Sequence, residues 1–101
     1  MPAYMIVHAT LTDREKFVAG YAPAAAALVE QFGGRYILRA AGTTVLEGDL
    51  DDKASVVISE WPDTDTVLRF WNSPEYTEVK KLRDGCANCR VTVVEAPDIR
   101  G

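Results

Sequence analysis

The chain has 101 residues, close to half of them hydrophobic, with a net charge of -4 spread over interspersed acids and bases. That size and balance describe one folded domain with a single core, and they argue against an intrinsically disordered chain. With no run of Lys or Arg and no basic stripe interleaved with aromatics, nucleic acid is not an expected partner. No apolar stretch approaches the roughly 20 residues needed to cross a bilayer, so no membrane segment is expected. The N-terminus lacks a basic leader and a cleavage site, and a cytoplasmic location is the expectation that follows.

In chain order, "PAYMIVHAT" opens with apolar residues on both alternating faces. Ala3, Met5, Val7 and Ala9 point one way, and Tyr4, Ile6 and His8 the other, as expected of a strand covered on both sides. Thr12 and Glu15 have the spacing of a capping box. They introduce a helix whose apolar stripe is Phe17, Tyr21, Ala25, Leu28 and Phe32. Pro23 should kink or split that helix near Gly20, and Gly33-Gly34 should end it.

"RYILRA" and "TTVLEG" read as two strand segments, with Ala41-Gly42 as a bulge within one bent strand. A polar turn, "GDLDDK", leads to the strand "ASVVISEW", which Pro62 stops. Asp63 caps a short helix containing Val67, Leu68, Phe70 and Trp71. In "WNSPEYTEVKKLR", Ser73 is an N-cap, Pro74 suits the first helical position and Glu75 suits the positive end of the dipole. The inner face of this second helix would carry Tyr76, Val79, Leu82 and Arg83, with Gly85 ending it. "RVTVVEA" is the last strand, and residues 96–101 are expected to form a flexible tail.

The order strand, helix, strand, strand, helices, strand is that of a ferredoxin-like α+β domain, βαββαβ, with its four-stranded antiparallel sheet covered by helices on one face. The other face would expose an apolar patch of about a few hundred Å2, which predicts pairing with a second sheet, most simply that of an identical subunit.

"AYMIV", "LTD", "FGGRYILRA", "VLEGD", "ISEWP", "WNSPEYTEVKKLR" and "VTVVEA" resemble, in order and spacing, the domain of unknown function 1330 family across nearly the whole chain. The resemblance implies a homodimer forming a dimeric α+β barrel. That superfamily includes cofactor-free monooxygenases, muconolactone isomerases, haem-degrading enzymes and chlorite dismutases. The family has no agreed reaction, so the resemblance speaks to the fold rather than to the chemistry. The haem-degrading branch needs a histidine on the helix that here reads "YTEVKK", with Lys80 near the expected place. No cofactor is therefore expected. With a single histidine and no acidic cluster at ligand spacing, no metal site is expected either.

Candidate site residues follow from charge on covered strands. His8, the sole histidine, is a candidate proton acceptor or a strand-end side chain bonded to backbone or water. The family more often has Asp there. Arg39 and Glu47 flank the expected bulge and either pair with each other or line a cavity, because an isolated buried charge is too costly. In the second case Arg39 would hold an anion and Glu47 would be a further candidate proton acceptor.

Tyr76 and Arg83, seven residues apart, share a helix face, which makes them ligand-binding candidates or core packing. Cys86 and Cys89 form a Cys-x-x-Cys after a helix C-terminus, which is the wrong end of the dipole for a redox dithiol. The sequence thus leads to one expectation and two readings of it. Arg39, Glu47 and Tyr76 should converge on one cavity per subunit, serving either a cofactor-free enzyme of small aromatic or carboxylic metabolites or a non-catalytic binder of them.

Overall fold

A computed structural model gives the architecture and describes residues 1–97. Strand β1 (Ala3–Leu11) lies in the sheet interior, flanked by β3 (Ser55–Trp61) and β4 (Ala87–Glu95), and β2 (Arg35–Ala40) is the edge strand beyond β3. The order is β2-β3-β1-β4 with every pairing antiparallel, as the sequence order predicts. No helix among the described residues is long and apolar enough to cross a membrane.

The register sorts side chains onto two faces. Met5, Val7 and Ala9 of β1 oppose Ser59, Val57 and Ser55 of β3 and Val93, Val91 and Cys89 of β4. This set faces the helices. Tyr4, Ile6 and His8 lie on the opposite face, beside Glu60, Ile58 and Val56 and beside Val94, Thr92 and Arg90. Helix α1 (Arg14–Lys16) runs through a wider π-type segment, Phe17–Tyr21, into α2 (Ala22–Gln31). Pro23 has no N–H to give to the preceding turn, and the widened turns just before it accommodate that loss without a break. The N-cap is Asp13, whose carboxylate accepts from the Lys16 N–H, rather than the expected Thr12. The Thr12 hydroxyl instead donates to the Gly85 carbonyl, tying the end of β1 to the turn before β4.

The second pair of helices matches the local signals. Asp63 caps α3 (Thr64–Trp71), and Ser73 caps α4 (Pro74–Lys80) with Pro74 in its first turn. A 3-10 turn, Lys81–Arg83, extends α4. Between sheet and helices sits a core of Ala3, Met5, Val29, Trp61, Val67, Phe70 and Tyr76. The Trp61 indole N–H donates to the Ser59 hydroxyl at 2.8 Å, so the buried ring keeps its polar atom satisfied. Gly34 backs onto that ring: a Cβ there would lie 2.6 Å from Trp61 Cε2.

Two expectations are corrected between β2 and β3. "TTVLEG" is not a strand, and residues 41–54 form a connecting loop. As β2 is an edge strand, an extension of it beyond the end of β3 would have no ladder partner. Gly42 and Gly48 take positive φ, and Leu46 is 93% exposed instead of facing a core. Nor does the bulge fall at Ala41-Gly42. The β2–β3 register slips between Tyr36 and Leu38, which leaves Ile37 as the extra residue. At the C-terminus, the Ala96 N–H donates to the Pro2 carbonyl, and residues 98–101 of the expected tail lie outside the described residues.

Candidate functional site

The bulge at Ile37 decides which β2 side chains face inward. Tyr36 opposes Ser59, and Arg39 opposes Val57, so both stand on the helix side although they are three residues apart. In a regular strand that spacing would put them on opposite faces. The Arg39 guanidinium carbon lies 5.3 Å from the centre of the Tyr36 ring.

Beneath them, between the sheet and the α2 and α4 helices, is a cavity of about 120 Å3. Its floor is apolar, with Met5, Val7, Val57 and Val91 from the strands, and Ala25, Val29, Phe70 and Trp71 close it from the helices. Its polar lining is Tyr21, Tyr36, Tyr76, Arg39 and Arg83, together with Ser55, Ser59 and Cys89. No carboxylate and no imidazole belongs to that lining.

The tyrosines form the polar centre. The hydroxyls of Tyr21 and Tyr76 are hydrogen-bonded at 2.7 Å, joining residues 55 positions apart in sequence. Tyr76 is 2% exposed and stacks at a tilt on Phe70 and Trp71, at 4.5 and 5.3 Å between ring centres. Burial raises the pKa of all three phenols above the ordinary value. The Tyr76 hydroxyl raises that of Tyr21 further, while Arg39 partly offsets the rise at Tyr36. All three remain protonated hydrogen-bond donors at neutral pH. The Arg83 guanidinium carbon lies 5.6 Å from the Tyr21 ring centre, a cation–π approach, and the charge is electrostatically close to Tyr76 and Cys89.

Of the sequence candidates, the structure brings Arg39, Tyr76 and Arg83 to one cavity and leaves two outside it. Glu47 is exposed on the 41–54 loop and makes no ion pair with Arg39, because the expected strand that would have carried it inward is absent. His8 is on the far face of the sheet, next to Val56 and Arg90, and strand alternation prevents its imidazole from reaching the cavity. Leu82, expected on the inner face of α4, is 44% exposed.

Sequence reasoning missed Tyr36 and Cys89 and read Tyr21 only as part of an apolar stripe. Extending the alternation of Val93 and Val91 back by two residues would have placed Cys89 inward, since β4 begins at Ala87 rather than Arg90. Cys86 is fully buried in the preceding turn, its thiol directed at the Leu82 and Asp84 carbonyls. Among the described residues, no group of three or more His, Cys, Asp or Glu side chains is placed to hold a metal ion.

The family described as "Domain of unknown function (DUF1330)" matches residues 2–97. No curated protein matches the sequence. Among solved structures, a protein of unknown function from Rhodopseudomonas palustris is similar at a TM-score of 0.79 with 20% identity, over 96% of this chain and 83% of that one. SnoaB, a cofactor-independent oxygenase from Streptomyces nogalater, is similar at 0.68 with 17% identity, over 96% and 94% of the two chains. A dimeric protein of unknown function and ferredoxin-like fold from Bacteroides fragilis is similar at 0.63 with 20% identity, over 94% and 96%. At these identities the likeness is one of fold.

Proposed function

The chain belongs to the DUF1330 family, which is defined without a reaction, and from its own cavity we propose a homodimeric, cofactor-free enzyme acting on a small aromatic or carboxylic metabolite. The carrying observation is the cavity itself. A largely apolar, partly open space lined by three tyrosines and two arginines is what a small flat molecule with oxygen substituents requires. Its 120 Å3 is close to the roughly 150 Å3 cavity that takes up benzene in another protein, so the fitting ligand has about one ring. A fold relative described as a cofactor-independent oxygenase supports the cofactor-free part of the reading.

The homodimer rests on the open sheet face, where Ile6, Ile58, Val56 and Leu38 lie side by side. A fold relative described as dimeric supports it. One observation favours a second reading, a non-catalytic binding protein. With no carboxylate or imidazole in the lining, the proton acceptors at hand are phenols held protonated and the Cys89 thiol.

A thermal-shift panel of single-ring phenols and carboxylates tests the binding that both readings share. A ligand at a hundredfold its Kd adds about 2.7 kcal/mol of stability. Ala25→Leu, which fills the cavity, should remove that gain while leaving the protein folded. If no compound in the panel stabilises the protein, or if Ala25→Leu keeps the full gain, the cavity is not a ligand site. Mass analysis of the bound compound after aerobic incubation separates the readings, because an enzyme returns an altered molecule and a binder returns the same one.

A further inference from the structure

We infer that the part of the cavity lined by Arg83, Tyr21 and Tyr76 is an anion site, so that the ligand enters as a ring-sized carboxylate or phenolate held by the Arg83 guanidinium and the two hydroxyls. This rests on the reading that the cavity binds a small molecule, and it specifies the charge of that molecule.

The charge balance is the first support. Arg83 is half-buried at the cavity wall, and its electrostatic neighbours are Tyr76, Cys89 and Tyr21, none of them a carboxylate. The salt bridges among the described residues, Arg35 with Glu60 and Glu78 with Lys81, lie elsewhere. A cation half withdrawn from water without a counter-ion is costly, and a cation–π contact with Tyr21 and a hydrogen bond to Cys89 recover only part of that cost. Arg39 differs in being exposed, so water solvates its charge. Both line the cavity, Arg39 from the edge strand and Arg83 from the turn that follows α4.

Hydrogen-bond capacity is the second support. Two phenol protons serve Tyr21 and Tyr76, and their mutual bond uses one, leaving one O–H to donate into the cavity. Burial keeps both phenols protonated, and the guanidinium offers donors only. A site with surplus donors and a positive charge selects a ligand rich in acceptors and negatively charged. A carboxylate on one ring meets that demand within the available volume.

Isothermal titration with benzoate, benzamide and benzyl alcohol at neutral pH tests the charge, since the three are alike in size and only benzoate is ionised. Benzoate should bind about tenfold or more tightly than benzamide. The advantage should shrink as the pH falls below the pKa of benzoic acid itself. Arg83→Gln should weaken benzoate far more than benzamide and so remove the preference, and Arg83→Lys should restore part of it. Benzamide binding as tightly as benzoate to the wild-type protein would overturn the anion site alone, leaving the ligand cavity intact. That comparison needs no variant, so it decides the matter even if Arg83→Gln does not fold. Failure of all three probes to bind up to their solubility limits would overturn the anion site together with the reading beneath it.

Discussion

Replacing Tyr76 with Phe removes one oxygen and leaves the ring contacts to Phe70 and Trp71 in place, so it isolates the hydroxyl pair at the polar centre of the cavity. A neutral hydrogen bond contributes about 1 kcal/mol net. Tyr76→Phe should therefore cost about that much, a fall in Tm of about 4–8 °C for a domain of this size. Tyr21→Phe breaks the same bond and should cost a similar amount. Because the bond can be lost only once, the double variant should lose about 1 kcal/mol rather than 2, a coupling energy of about 1 kcal/mol. Urea titration of the four proteins at one fixed concentration measures this, the fixed concentration being needed if the chain self-associates. Additivity within about 0.3–0.5 kcal/mol would refute the idea that the two phenols act as a bonded pair.

Gly34→Ala should destabilise by about 1–3 kcal/mol or more, because the new methyl would collide with the buried Trp61 ring; a urea midpoint within error of wild type would contradict that packing. Stability should fall as the pH rises above about 10, the ordinary tyrosine pKa. The raised pKa values of Tyr21, Tyr36 and Tyr76 mean that the unfolded chain releases protons the folded one keeps, so the stabilisation is complete below that pH and lost above it. The limiting slope is about 1.4 kcal/mol per pH unit for each phenol kept fully protonated, and urea titrations on either side of pH 10 should show the loss to be shallower in Tyr21→Phe. Ile58→Asp should convert the proposed homodimer to monomers or unfold it, as read by sedimentation velocity; a wild-type protein that already sediments as a folded monomer would contradict the pairing of open sheet faces.

How much of this was legible in the sequence depended on the range of the physics involved. Caps are local, so Asp63, Ser73 and Pro74 announced α3 and α4 correctly. The alternation in β1 was legible too, including His8 on the side opposite Met5 and Val7. Which side carries the helices was not, because both faces of that strand are apolar and alternation alone does not distinguish them.

The β2 bulge lay beyond local reading. A slip at Ile37 is set by pairing with β3, and the glycine at 42 drew attention to the wrong place. The error over "TTVLEG" has a similar source, since its β propensity is real but no neighbouring strand exists to use it. The Tyr21–Tyr76 bond joins two helices through tertiary packing, and nothing at either position foretells the other. Arg39 was found for an incomplete reason: its charge pointed to a partner or a cavity, but what turns it toward the cavity is the bulge at Ile37.

The central claim is that the space between sheet and helices is a ligand site. Methyl-resolved NMR titration with benzoate tests it most directly, since inward and outward methyl groups report separately. The account predicts shifts at Val7, Ala25, Val29, Val57 and Val91, which line the cavity, with Ile6 and Ile58 on the open sheet face unmoved. Shifts confined to Ile6 and Ile58, or no shifts at saturating benzoate, would contradict it.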